Sequence, residues 1–184
     1  GLGTFWAITV AGQKIAEQFL VAHGVDHTEA VEKSKLAYGR IQSIGGGIGL
    51  VAMGPLCSIL GRRWAFILMQ LAAYIIVPIT CYLPATYHQL LFVLPIFGGL
   101  TLGIHAGYAV YFPELFPHHL RATGSGFCFN GGRLVAATIL IASGWLKSLP
   151  GMTLPVALII ISQLFLVGIV IAWFMPETRN TELT

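Results

Sequence analysis

Long runs of apolar positions divide the chain, and short polar stretches separate them. Five runs are long enough for an α-helix to cross the ~30 Å of hydrocarbon in a bilayer. They cover residues 41–60, 64–83, 89–112, 122–146 and 153–175. A further apolar piece covers residues 1–22, and we interpret it as the end of a helix whose start precedes Gly1. The pattern predicts an all-α polytopic transmembrane helix bundle with five complete spans and one truncated N-terminal span.

The polar stretches between these runs are mostly short. The longest, HGVDHTEAVEKSKLAYGR at residues 23–40, predicts a short solvated helix or turn outside the bilayer. Short connections make neighbouring spans antiparallel. The glycine-rich GGGIG at residues 45–49 lies inside an apolar span, so we interpret it as a place of close helix contact and not as a phosphate loop.

Composition supports a membrane protein and excludes several other classes. Hydrophobic residues make up 56% of the chain and charged residues 9%, with a mean hydropathy of +0.80. The ten Lys and Arg residues are scattered, so no nucleic-acid partner is predicted. The three cysteines fall in or near the spans without a metal-binding spacing. We therefore predict no metal site, no disulfide and no cofactor, and the lipid bilayer as the surroundings.

Two ionisable residues are predicted to lie deep in the membrane. An α-helix rises ~1.5 Å per residue, so Arg133, twelve residues past Arg121, lies ~18 Å along its helix. His105, nine residues before Glu114, lies ~13 Å along its own helix. Such a group costs roughly 2.5 to 3.5 kcal/mol on insertion scales unless it faces protein or a water-filled cavity. Lipid-facing positions are therefore disfavoured for both side chains.

Other polar residues lie at helical spacing from Arg133 and from His105, so each of the two helices has a polar face. Asn130 lies one turn before Arg133, while Thr101 and Tyr108 lie about one turn on either side of His105. We expect the two faces to form one substrate-binding cavity. The alternatives are a structural ion pair for Arg133, a packed and hydrogen-bonded His105, and a mutual or backbone hydrogen bond for Thr101 and Tyr108.

Three motifs resemble the cytoplasmic signatures in the C-terminal half of a major facilitator superfamily transporter. They are GPLCSILGRR at residues 54–63, PELFPHHLRATGSGFCFNGGR at 113–133 and PETRNTEL at 176–183. The resemblance covers essentially the whole chain, which it places from the end of the seventh helix through the twelfth to a cytoplasmic tail. The family's loop signature carries an acidic residue at the position of Ser58 and a basic one at that of Ile59, so this chain departs from it there.

Substrate motifs separate this chain from the hexose carriers of that superfamily. Those carriers have paired glutamines in the seventh helix and a Pro-x-Pro-Trp run before the acidic loop, where this chain has FWAITVAGQ and IHAGYAVYFPELFP. The intramembrane arginine of NGGR is more similar to organic-acid and aromatic-acid proton symporters. The resemblance also implies a cytoplasmic gate network of charged residues between helices, formed by Glu114, Arg121, Arg62, Arg63, Glu177 and Arg179.

These inferences together predict a secondary active transporter working by alternating access, with a small organic anion as substrate and a proton as the coupling ion. The chain would work with a missing N-terminal half of the same transporter. It would lie in the cell membrane with its C-terminus in the cytoplasm. We do not expect an enzyme, because no paired catalytic residues occur in the spans; a membrane sensor on the same fold and an intramembrane enzyme using His105 are the alternatives.

Overall fold

The computed structural model describes residues 2–178, and over this range the chain is helical. The helices are α1 (Leu2–Ala22), α2 (His27–Lys35), α3 (Gln42–Leu60), α4 (Arg62–Tyr82), α5 (Tyr87–Glu114), α6 (Arg121–Ser148) and α7 (Leu154–Phe174). A π-helical turn, Leu36–Ile41, joins α2 to α3, and a 3-10 turn, His118–Leu120, precedes α6. The described part of the chain contains no strand, which confirms the all-α prediction.

Within residues 2–178, five helical stretches are long and apolar enough to cross a membrane. They run over His27–Leu60, Arg62–Tyr82, Tyr87–Glu114, His118–Ser148 and Leu154–Phe174. This confirms the prediction of a multi-span helical bundle. The first of the five is 34 residues long, because the helix continues through the polar segment that precedes residue 41.

The turn before that long helix is confined to a few residues. Gly24, in the turn between α1 and α2, adopts a φ of +84°, which glycine tolerates without strain. Asp26 then caps α2 by accepting a hydrogen bond of 3.0 Å from the backbone N–H of Thr28. This bond stabilises the ionised carboxylate and holds the pKa of Asp26 below its ordinary value.

Helices α3 and α5 pack backbone against backbone through glycine. A Cβ added at Gly45 would lie 1.9 Å from the carbonyl oxygen of Pro95, and one at Gly49 would lie 2.1 Å from that of Gly99. A Cβ at Gly98 would meet the carbonyl oxygen of Gln42 at 2.0 Å. No side chain fits at these positions, so the GGGIG segment serves as a close helix contact.

Helix α6 is the most open of the five candidate spans. It packs against α1 and α5, while large apolar side chains such as Phe127, Leu134 and Ile141 remain more than 70% exposed. The other four spans share a core in which Phe66 and Phe97 are fully buried. Helix α6 therefore forms one wall of the bundle and leaves space between itself and α5.

Candidate functional site

A cluster of charged residues lies where α3 passes into α4 and where α5 and α7 end. We call it the charge cluster and define it as Arg62, Arg63, Glu114 and Glu177. Arg62 and Glu114 form a two-pronged pair, with Nε donating to Oε2 at 3.0 Å and Nη2 to Oε1 at 2.5 Å. Their side chains are only 15% and 12% exposed. The geometry is the parallel arrangement that makes arginine–carboxylate pairs strong and directional.

Glu177 holds the N-terminus of α4. Its carboxylate accepts hydrogen bonds from the backbone N–H groups of Arg62, at 2.9 Å, and Arg63, at 3.1 Å. These N–H groups have no partner inside the helix, and the helix dipole also favours an anion there. Gly61 makes the approach possible, since its φ is +87° and a Cβ would lie 2.6 Å from Oε2 of Glu177.

The segment after α7 is fastened to the same cluster by three further bonds. The Nε of Arg63 donates to the carbonyl oxygen of Met175 at 3.0 Å, and the hydroxyl of Tyr111 donates to that of Pro176 at 3.2 Å. The hydroxyl of Thr178 donates to Oε2 of Glu114 at 2.5 Å. The cluster therefore ties α4, α5 and the segment that follows α7 into one contact.

The structure brings together four of the six residues of the expected gate network. Arg121 stands at the start of α6, and its buried Nε has no hydrogen-bond partner within residues 2–178. It forms no salt bridge with an acidic residue of that range, so Arg62 and not Arg121 is the partner of Glu114. Arg179 lies outside the described residues.

A cavity of about 310 Å³ lies between α5, α6 and the start of α1. Most of its wall is aromatic or aliphatic, and its polar side chains are His105, Tyr108 and Cys128. The full lining comprises Gly3, His105, Tyr108, Phe112, Cys128, Phe129, Gly132, Val135, Ala136 and Ile139. His105 and Tyr108 were both expected to line a substrate cavity, and both do line this one.

Several aromatic rings line the cavity and pack on one another. Tyr108 and Phe112 stack with ring centroids 5.4 Å apart and planes 13° apart, and Phe66, outside the lining, stacks on Tyr108 with ring centroids 5.2 Å apart. Phe129 of α6 meets Phe112 edge-on at 5.6 Å. The lining therefore offers aromatic, mostly apolar surface to a molecule in the cavity.

The remaining expected substrate residues lie elsewhere. Thr101 is fully buried, and its hydroxyl donates to the carbonyl oxygen of Phe97 in its own helix at 2.6 Å. Asn130 is exposed and donates to the carbonyl oxygen of Gly126 one turn back at 2.9 Å. Thr101 and Asn130 thus each bond to their own helix, and neither lines the cavity.

Arg133 also lies outside the cavity lining but adjoins it. It follows Gly132, which lines the cavity, and its side chain is exposed. None of the acidic residues in the described range forms a salt bridge with it. Arg133 is therefore an exposed residue next in sequence to a cavity residue, without a salt-bridge partner among the described residues.

Sequence reasoning missed several residues of the charge cluster and of the cavity. Tyr111, Thr178 and the carbonyl of Met175 complete the charge cluster, and among these only Thr178 has a signal in sequence, because it is part of the PETR motif. Phe112 and Phe129 build the cavity wall, but isolated aromatic residues in an apolar span carry no signal in sequence. Residues 2–178 contain no group of three or more metal-ligating side chains placed to hold an ion.

Two curated proteins that are similar to this chain are named as transporters. A cis,cis-muconate transport protein of Acinetobacter baylyi is 28% identical over 136 residues, which cover 72% of this chain and 32% of the relative. A probable 4-methylmuconolactone transporter of Cupriavidus pinatubonensis is 27% identical over 145 residues, covering 78% and 33%. The chain spans about a third of the length of these curated relatives. No solved structure matches it.

The family comparison covers nearly all of the described chain. The family model described as sugar (and other) transporter matches residues 5–178. This match confirms the resemblance to the major facilitator superfamily, and it agrees with five helices that are long and apolar enough to cross a membrane. The chain therefore belongs to the sugar (and other) transporter family of multi-pass membrane proteins.

Proposed function

We propose that the chain is part of a secondary transporter that carries a small, planar organic anion across the membrane together with a proton. The observation that carries this proposal is the aromatic-walled cavity between α1, α5 and α6, with polar groups at His105 and Tyr108. A cavity of about 310 Å³ suits a molecule of roughly metabolite size. The muconate and muconolactone named for the relatives are unsaturated and of this size class.

Arg133 supports an anionic substrate. It follows the cavity-lining Gly132, its side chain is exposed, and no carboxylate of residues 2–178 forms a salt bridge with it. A guanidinium binds a carboxylate through two parallel hydrogen bonds, which combines charge with orientation. We propose that Arg133 turns toward the cavity when substrate is present and that Asn130 contributes a neutral hydrogen bond near it.

The charge cluster supports alternating access. It joins α4, α5 and the segment after α7 through side chains that are partly shielded from water. Burying such a pair costs desolvation free energy, and the electrostatic attraction between the two charges largely offsets that cost. The net contribution to stability is therefore modest, and the contact can open and close. We propose that the cluster lies on the cytoplasmic side and closes the path there in one conformation, with an N-terminal half of the same transporter on the other side of the path.

Transport by the full-length protein in liposomes tests this proposal. Labelled cis,cis-muconate should accumulate inside when the outside is made acidic, and a protonophore should abolish the accumulation. Glucose should compete weakly, because the cavity wall offers few hydrogen-bonding groups for a polyol. Accumulation of glucose in place of muconate would contradict the proposed substrate class, and accumulation unaffected by the protonophore would contradict proton coupling.

A further inference from the structure

The ring of His105 is held in one tautomer. Its Nδ1 lies 3.0 Å from the carbonyl oxygen of Leu102, one turn back in α5. A carbonyl oxygen can only accept a hydrogen bond, so Nδ1 carries the proton. The neutral ring then presents the lone pair of Nε2. That atom is buried and has no hydrogen-bond partner among the described residues.

An unsatisfied buried acceptor is uncommon, and here it belongs to a side chain that lines the cavity. The described residues that contact the ring or line the cavity beside it carry no charge. From α1, Phe5 meets the imidazole edge-on at 5.7 Å, and from α5 itself Tyr108 does so at 6.1 Å. Helix α6 contributes the thiol of Cys128 to the lining. Among the lining residues there is no carboxylate, lysine or arginine, so His105 is the basic side chain of this lining.

A proton on Nε2 would create a cation in an apolar surrounding without a counter-ion. Such a charge is costly to bury unless it is paired. A carboxylate entering the same cavity would supply the partner, and the two would form a charge-assisted hydrogen bond. Each ligand therefore raises the affinity for the other by the same factor, as linkage requires. This mutual dependence is what obligatory co-transport of a proton and an anion needs.

We propose that Nε2 of His105 is the proton-binding atom of this transporter. It takes a proton from water as the carboxylate binds, and the imidazolium pairs with that carboxylate. Both leave together on the other side of the membrane, and the neutral ring with Nδ1–H on Leu102 is restored. This assignment deepens the proposed function and rests on it.

Two substitutions separate proton binding from hydrogen bonding. In His105→Gln the side-chain amide reaches the region of Nε2 and can accept a hydrogen bond, but it takes up no proton. In His105→Asn the shorter amide keeps a donor near Leu102 and leaves the position of Nε2 empty. His88→Gln is the matched control, because His88 is exposed at the start of the same helix and far from the cavity.

Two assays on the full-length protein in liposomes then give opposite results. Accumulation of cis,cis-muconate driven by a pH gradient should be lost in both His105 variants and kept in wild type and His88→Gln. Exchange of external labelled for internal unlabelled muconate, which needs no net proton movement, should persist in His105→Gln. Binding should also become independent of pH in that variant. Gradient-driven accumulation at the wild-type level by His105→Gln would overturn the proposal.

A measurement on the wild type covers the case in which both variants fail to fold. In weakly buffered detergent solution at neutral pH, a pH indicator should report proton uptake when muconate is added. Binding without proton uptake would overturn the assignment of His105 and leave the transport function intact. Absence of both binding and transport of muconate by the wild type would instead contradict the proposed function itself.

Discussion

The pairing of Arg62 with Glu114 can be tested by removing either charge. Glu114→Gln keeps the side-chain size, Arg62→Gln shortens the side chain, and each leaves the partner ionised. Both partners are more than 80% buried, so the remaining charge loses its neutralising contact without gaining full hydration. Each single change should loosen the charge cluster, and the double change should cost less than the sum of the two.

The size of the effect follows from the number and kind of bonds. The pair makes two charge-assisted hydrogen bonds, of 3.0 and 2.5 Å. Hydrogen bonds to charged groups contribute about 1.5 to 3 kcal/mol each in net stability. The lower end for two bonds gives about 3 kcal/mol, and a discount for the partial exposure of the pair gives a coupling of about 2 to 3 kcal/mol. Every 1.4 kcal/mol is about tenfold in an equilibrium constant, so the open form should rise roughly 30- to 150-fold.

Cys57 provides a reporter for this opening. Its side chain is 1% exposed, and its carbonyl oxygen accepts a hydrogen bond from Nη1 of Arg62 at 3.3 Å. In a background with Cys81→Ser and Cys128→Ser, alkylation of this thiol by N-ethylmaleimide should follow the population of the open form. Single substitutions at Arg62 or Glu114 should therefore accelerate the alkylation of Cys57 by the factor given above.

A second cycle identifies the partner of Glu114. Arg121 lies seven residues further on in the same motif but forms no salt bridge with an acidic residue of the described range. The Arg62–Glu114 cycle should show a coupling, and the Arg121–Glu114 cycle should show almost none. Alkylation within twofold of the parent for both single variants at the pair, or a coupling found only with Arg121, would refute this reasoning.

Three other predictions address packing, substrate and orientation. Gly49→Ala should destabilise the protein by about 1 to 3 kcal/mol in thermal unfolding, because its Cβ would overlap the backbone of α5. The control Gly47→Ala should be neutral or slightly stabilising, because a Cβ there meets open space. Equal melting temperatures for the two variants would contradict the close packing of α3 on α5. Arg133→Lys should weaken muconate binding with folding intact, and Arg133→Gln should abolish it. If Arg133→Gln bound muconate as tightly as the wild type, Arg133 would not be the anion-binding residue. In intact cells, a membrane-impermeant thiol reagent should label a cysteine placed at Lys33 but not one placed at Arg121. Labelling at position 121 and not at position 33 would contradict the predicted orientation in the membrane.

The fold could be predicted from sequence because membrane spans are set by length and hydropathy. An apolar helix must be long enough to cross the hydrocarbon, and the chain satisfies this five times. The start of the first of these spans could not be predicted in the same way. Polar residues 27–40 are compatible with either a solvated turn or a helix that extends beyond the bilayer, and helix continuity through the π-helical turn decides for the second.

The sequence predicts the depth of the site residues but not the direction of their side chains. Sequence distance from the loops predicts that His105 and Arg133 lie at mid-membrane, because the rise per residue is fixed, and this depth stays a prediction. We expected the face of α6 that carries Asn130 and Arg133 to be turned toward α5. The structure turns Phe129, Gly132 and Ala136 toward the cavity, which leaves Asn130 and Arg133 each one position further around the helix. The partner of Glu114 was equally beyond sequence, since several arginines share its end of the bundle.

Helix α5 joins the two parts of the proposed mechanism. It carries His105 in the cavity wall and Glu114 in the charge cluster, nine residues and ~13 Å apart along one continuous helix. Its backbone contact with α3 at Gly45 and Gly49 leaves no room for sliding without separation of the two helices. A change in how α5 sits against α6, caused by proton and anion at His105, would therefore be carried to Glu114 by the α3–α5 pair as a unit. Substrate binding would thus act on the charge cluster through rigid helix geometry, without any contact between the ligand and the cluster.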